Sequence, residues 1–160
     1  MTNEFDYSAE LAVAEAAGRQ AGAAGMGPFK GKYDVHEKSK NNHVTTADLE
    51  ANRIIRERIN QFFPGDGWLS EEDQDSAQRL ACSRVWVVDP IDGTKEFIEG
   101  VDQFAVSIAF VVEGIPKVSI VFNPAQDRFY KAAAGQGAFL NDQVVRVTPR
   151  SDIDGALLLV

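Results

Sequence analysis

The strongest constraint on the fold lies in the second half of the chain. Phe104, Val106, Ile108, Phe110 and Val112 alternate with Ala105, Ser107, Ala109 and Val111. That period of two is the mark of a strand with one buried face. The segment Glu113-Gly114-Ile115-Pro116 then reads as a turn, and Lys117–Phe122, Arg128–Ala132 and Gly137–Leu140 follow as further short strands. Asn141-Asp142-Gln143 reads as another turn before a strand over Val144–Val147. Strands joined by such short connections pair with their sequence neighbours, so this half predicts an antiparallel meander.

The first half has a different period. From Phe5 to about Ala24 the chain is rich in Ala, which predicts a helix capped by Asp6 or Ser8. The stretch GAAGMGPFKGK ends it with Gly22, Gly25, Gly27, Pro28 and Gly31. A second helix is predicted from Thr46 to Phe62, with Leu49, Ile54, Ile55 and Ile59 as its apolar positions. Thr45 or Thr46 is its expected cap, and Pro64-Gly65 its stop. Trp68–Ser70 and Val85–Val88 then read as short strands, each running into carboxylates. Helices followed by consecutive strands predict an α+β layer, two amino-terminal helices packed on one largely antiparallel sheet.

Charge narrows the range of functions. Asp and Glu number 24 against 16 Lys and Arg in 160 residues, a formal net charge of −8. Surfaces for nucleic acid or anionic membranes are basic, so neither partner is expected. An acidic protein that handles an anionic substrate needs a local positive charge, and a divalent ion is the obvious source. A single cysteine, Cys82, excludes an internal disulfide and points to a reducing compartment. The amino terminus MTNEFDYSAE carries acids where a signal peptide needs bases, and no apolar run has the length of a membrane span. A cytoplasmic location is the expectation.

The densest chemical cluster is Trp86-Val87-Val88-Asp89-Pro90-Ile91-Asp92-Gly93-Thr94. A buried strand delivers Asp89, Pro90 stiffens the backbone, and Asp92 follows where it can face the same point, with the Ile91 carbonyl between them. Gly93 permits close approach of the backbone, and Thr94 opens a possible helix with free N–H groups. Hard oxygen donors of this kind suit magnesium, which commonly bridges carboxylates and phosphate. Alone, the segment reads equally well as an Asp-Gly turn. A second acidic group, Ser70-Glu71-Glu72-Asp73, also follows a strand, so Glu71 can reach the same sheet edge while Asp73 reads as a solvated loop acid. A third, Val44-Thr45-Thr46-Ala47-Asp48, puts Asp48 in the first turn of helix two, where an Asp often serves only the helix dipole.

In this order, VTTAD, SEED and WVVDPIDGT resemble the signature of the inositol monophosphatase superfamily. The resemblance implies the first domain of the sugar-phosphatase fold and a magnesium-dependent phosphomonoesterase. It implies that Glu71, Asp89 and the Ile91 carbonyl hold one Mg2+ while Asp89 and Asp92 share a second. Glu71 and Thr94, backed by Asp48, would activate water, and the amides of Gly93 and Thr94 would bind phosphate. The words DGTKEF and LSEED are similar to the 3'(2'),5'-bisphosphate nucleotidase branch, which would make a bisphosphate such as 3'-phosphoadenosine 5'-phosphate the substrate. Lys38 stands six residues before Val44, where that branch also carries Lys, though beside Lys40 it reads as well as a solvated loop residue. His43 in place of the branch's Pro, and Asn41-Asn42 in place of acids or Ser, depart from it, which keeps an inositol or sugar monophosphatase as the alternative.

Family members run on for roughly another hundred residues, the size of a further domain. That half carries a WDxAAG-like segment whose Asp completes the second metal site. Residues 1–155 are therefore expected to form the metal-binding α+β domain, with the apolar run Ala156–Val160 as the start of a second domain absent from the chain. A non-catalytic fragment that binds magnesium weakly and self-associates as a homo-oligomer stands as the alternative of another class.

Overall fold

The computed structural model describes residues 6–29, 31, 34–39, 42–149, 151 and 155. Helix α1 (Ser8–Met26) precedes a small hairpin, β1 (Val35–Ser39) and β2 (Asn42–Thr45), and helix α2 (Thr46–Phe62). Strand β3 (Gly67–Ser70), a 3₁₀ turn (Ala77–Ala81), β4 (Arg84–Asp92) and helix α3 (Thr94–Glu99) follow. The chain then runs through β5 (Ala105–Val112), β6 (Ile115–Asn123), β7 (Arg128–Ala133), β8 (Gly137–Leu140) and β9 (Gln143–Val145). Strands β3 to β9 form one seven-stranded sheet in strict sequence order. The α+β reading holds, with α1 and α2 packed on this sheet.

The alternation read in residues 104–112 is the alternation of the fold. Val106, Ile108 and Phe110 of β5, with Val118, Ile120 and Phe122 of β6, are buried against the helices. Trp86 and Val88 extend this layer onto β4, where the Trp86 ring lies 4.8 Å from that of Phe110. Arg84 and Asp66 fix the start of β4. Asp66 accepts hydrogen bonds from Arg84 Nε at 2.7 Å and from Trp86 Nε1 at 2.9 Å, and Arg84 also reaches Glu10 at 3.0 Å.

Helix α1 approaches the sheet on a stripe of small residues, Ala14, Ala17, Gly18, Ala21 and Gly22. A Cβ built on Gly22 would lie 2.6 Å from the Phe122 ring and 3.3 Å from Pro124, whereas one on Gly25 meets nothing within 4 Å. The same substitution should therefore have opposite signs along one helix. Gly25→Ala is expected to stabilise the chain by roughly 0.5–1 kcal/mol through helix propensity. For Gly22→Ala, overpacking of about 1–3 kcal/mol outweighs that gain, leaving a net loss. Urea denaturation of the two variants checks both signs.

The structure differs from the sequence expectations in several places. Helix α1 starts at Ser8 with Tyr7 in the cap position and no side-chain capping bond there; Asp6 accepts from the Ser8 backbone instead. Leu49, taken as an apolar-face residue of α2, is exposed, because the buried face runs through Asp48, Ala51, Asn52, Ile55 and Ile59. The β1–β2 hairpin was not expected. The last strand stops at Val145, and Val147 is exposed. Most consequentially, β3 pairs with β4 in parallel, Gly67 opposite Val85 through Ser70 opposite Val88. The strand expected over Ala156–Val160 lies outside the described residues.

Candidate functional site

Parallel pairing decides where the two acidic segments go. Two parallel neighbours end at the same edge of the sheet, so the residue after β3 and the end of β4 meet. The Glu71 amide donates to the Val88 carbonyl at 3.2 Å, continuing the ladder by one residue beyond β3. Had the strands run antiparallel, Glu71 and Asp89 would lie at opposite edges.

Asp89 and Asp92 are three residues apart, and in a regular strand such residues point to opposite faces. Here Asp89 stands opposite Ser107 and Asp92 opposite Ala105, with a register shift between them. Ser107 and Ala105 are two apart and share a face. The extra residue in β4 is thus a bulge at Pro90-Ile91, and it turns both carboxylates to the same side of the sheet. Gly93, at φ +90°, then redirects the chain into α3. A Cβ there would fall 2.9 Å from the Gln103 carbonyl, so both the dihedral and the space require glycine.

Asp48 reaches the same point from α2. Its Oδ2 accepts from the Thr45 amide at 2.8 Å and from Thr45 Oγ1 at 2.5 Å, while Thr45 Oγ1 accepts from the Ala47 and Asp48 amides. This capping box holds the carboxylate rigid and buried. The other oxygen, Oδ1, accepts from Thr94 Oγ1 at 3.0 Å, and Thr94 Oγ1 stands equally 3.0 Å from the Ile91 carbonyl. Asp48 is therefore both a helix cap and the link between α2 and the loop after β4.

Asp89 lies at the centre of this group. Its carboxyl is pushed up to about 7, first by burial, then by the charge of Glu71 and a hydrogen bond with it, and further by Asp92 and Asp48. The charged neighbours that act on it among the described residues, Glu71, Asp92 and Asp48, are all acidic. Among the described residues no group of three or more His, Cys, Asp and Glu side chains stands in metal-ligand geometry. Thr94 has one hydroxyl proton for two acceptors, so only one of the Asp48 oxygen and the Ile91 carbonyl receives it at a time, and both keep lone pairs to spare.

Glu71, Asp89, Asp92, Asp48, Ile91, Gly93 and Thr94 are thus gathered at one sheet edge. Lys38 belongs to β1, and its side chain lies outside the described residues. Asp73 corrects the sequence reading: it is no solvated loop acid, because its Oδ2 accepts from Trp68 Nε1 at 2.6 Å and from Arg56 at 3.1 Å. It clamps the acidic loop to β3 and α2. Asn52 and Ser70, both buried, were not singled out by sequence reasoning, and neither were Asp66 and Arg84.

The family model of the inositol monophosphatase family matches residues 6–160. The chain belongs to that family. It is 40% identical over 124 residues to the inositol-1-monophosphatase of Rhizobium meliloti, a match covering 78% of this chain and 46% of the relative. It is 36% identical over 149 residues to the histidinol-phosphatase of Chlorobaculum parvum, covering 92% and 54%. Among solved structures, the extragenic suppressor protein suhB of Bartonella henselae superposes with a TM-score of 0.82 at 32% identity, over 89% of this chain and 56% of that one. The chain spans about half the length of the curated relatives it matches. This inositol monophosphatase family chain has, among its described residues, no helix long and apolar enough to cross a membrane.

Proposed function

We propose that the chain carries the divalent-cation centre of a magnesium-dependent phosphomonoesterase. One observation carries this reading: the parallel β3–β4 pairing and the β4 bulge bring Glu71, Asp89 and Asp92 to one edge, with Asp48 behind Thr94. Acids gathered in this way repel one another, a cost that a bound cation relieves. All the available donors are hard oxygens, which suits Mg2+ better than a softer ion.

Glu71, Asp89 and the Ile91 carbonyl are the proposed holders of one ion, and Asp89 with Asp92 of a second. Bound there, the ions would supply Lewis-acid stabilisation of the attacking and leaving oxygens in phosphoryl transfer. Glu71 would take a proton from the attacking water. Thr94 Oγ1 would orient that water, its own proton directed by Asp48, whose other oxygen is already fixed by Thr45. Gly93 and Thr94 would present backbone amides to the phosphate. Helix α3 has only six residues, so the amides themselves, more than a helix dipole, would do the binding.

Two sets of observations point to different leaving alcohols. DGTKEF and LSEED favour a bisphosphate such as 3'-phosphoadenosine 5'-phosphate, where Lys38 would meet the second phosphate. Two of the relatives named above are an inositol-1-monophosphatase and a histidinol-phosphatase, and the 40% identity to the first of them extends over 124 residues. The small monophosphate is the better supported reading. In a magnesium-dependent phosphate-release assay, kcat/KM for inositol 1-phosphate or histidinol phosphate is expected to exceed that for 3'-phosphoadenosine 5'-phosphate by about tenfold or more, the discrimination roughly 1.4 kcal/mol of differential binding gives. The opposite order would establish the nucleotidase reading, and absence of Mg2+ binding by the chain in calorimetric titration would remove the proposal.

A further inference from the structure

The buried polar side chains of the described residues are Glu10, Thr45, Asp48, Asn52 and Ser70. Glu10 belongs to the Arg84 anchor at the start of β4. The other four form a track across the base of the candidate site. Thr45 and Asp48 cap α2, and Asn52 lies one turn further along the same buried face. Asn52 Oδ1 accepts from Ser70 Oγ at 2.7 Å, and Ser70 Oγ in turn accepts from the Glu72 amide at 3.3 Å.

Glu71 sits between Ser70 and Glu72, and its own amide is held by the Val88 carbonyl at 3.2 Å. Its backbone is therefore held directly by Val88 and, through its two chain neighbours, by Ser70 Oγ, which accepts from the Glu72 amide and donates to Asn52. Helix α2 touches the site twice, at Asp48 through Thr94 and at Asn52 through Ser70. Packing alone does not require this pair, since two apolar side chains of similar shape fill a buried site at nearly equal stability. What a hydroxyl-to-amide bond adds is direction.

We infer that Asn52 and Ser70 form a positioning pair that sets the distance of Glu71 from Asp48, and with it the spacing of carboxylates on which divalent-cation affinity depends. This rests on the metal reading given above. Neither residue touches the ion; both act through Glu71.

The test is the affinity of the chain for Mn2+, read from the electron paramagnetic resonance signal of the free ion well below the melting transition. Ser70→Ala and Asn52→Ala are each expected to weaken binding roughly tenfold, the lower end of what outer partners of metal ligands contribute. The double variant should lose no more than the larger single loss, because one interaction is removed in all three. Ser70→Thr keeps the hydroxyl and should bind within about twofold of the unaltered chain, although its extra methyl lowers the melting temperature. A purely structural role would make affinity follow melting temperature; a positioning role makes it follow the hydroxyl. If an alanine variant fails to fold, Ser70→Cys, similar in shape but a weak donor, carries the same expectation. Unchanged affinity in the alanine variants, or a Thr variant as weak as Ala, overturns the inference while leaving the metal reading intact. Absence of Mn2+ binding by the unaltered chain overturns both.

Discussion

Asp89→Asn is expected to abolish divalent-cation binding while leaving the fold intact. Asp89 is the proposed bridge between two ions, so one neutral substitution removes a ligand from both. The expected loss exceeds the roughly hundredfold upper range for partners that act only through a ligand. Asn occupies nearly the same volume and still forms hydrogen bonds, so little packing is disturbed. It also relieves repulsion: burial and the charges of Glu71, Asp92 and Asp48 all oppose ionisation of Asp89 in the folded chain. Removing the charge should therefore leave thermal stability unchanged or raised in the absence of metal, the usual sign of a group kept for function at the expense of stability. Asp92→Asn, which touches only the second proposed ion, should lose less. Calorimetric titration with Mg2+ alongside thermal melts measures both effects. Unchanged binding in Asp89→Asn would sink the assignment of ligands at this edge.

The site was more legible than its construction. WVVDPIDGT draws attention to Asp89, Asp92, Gly93 and Thr94, but alone it reads equally well as an Asp-Gly turn, and the roles of these residues rest on the resemblance that it carries together with VTTAD and SEED. Helix α2 and the strands β5 to β8 were legible because period and turn residues are local signals. The direction in which β3 meets β4 was not. Four residues carry no mark of their partner, and the 13 residues between Ser70 and Arg84 fit either a wide antiparallel return or the parallel crossover through Ala77–Ala81 that is found. Yet that direction is what brings Glu71 to Asp89. The bulge was equally hidden, since it appears only when Asp89 and Asp92 are set against Ser107 and Ala105. Polar residues misled for a related reason. Asp48 and Asn52 break an apolar pattern, and their burial follows from partners 46 and 18 positions away, Thr94 and Ser70. Leu49 was given an inward place that belongs to them.

Glu71 and Asp73, two residues apart in one acidic loop, are expected to fail in opposite ways. Glu71→Gln removes the charge that would accept the proton of the attacking water, an effect worth about 10²–10⁴ in rate for general-base catalysis. It should not destabilise the chain, because the lost charge was one that opposed ionisation of Asp89. Asp73→Ala instead removes the acceptor that holds Trp68 Nε1 and Arg56. Loss of a partly buried charged acceptor costs about 1.5–3 kcal/mol, reduced here because the Arg56 and Asp73 side chains remain 50% and 26% exposed. A fall of roughly 1–2 kcal/mol in denaturant stability is the expectation. Divalent-cation affinity of the folded Asp73→Ala chain should stay within about threefold, since the Glu71 amide still donates to Val88 and the Glu72 amide to Ser70 Oγ, whereas outer partners of a metal ligand typically contribute 10–100-fold. Phosphate release, Mg2+ titration and urea denaturation of the two variants separate these outcomes. If Asp73→Ala lost metal affinity as fully as Glu71→Gln loses turnover, the ligand would have been assigned to the wrong carboxylate of the loop.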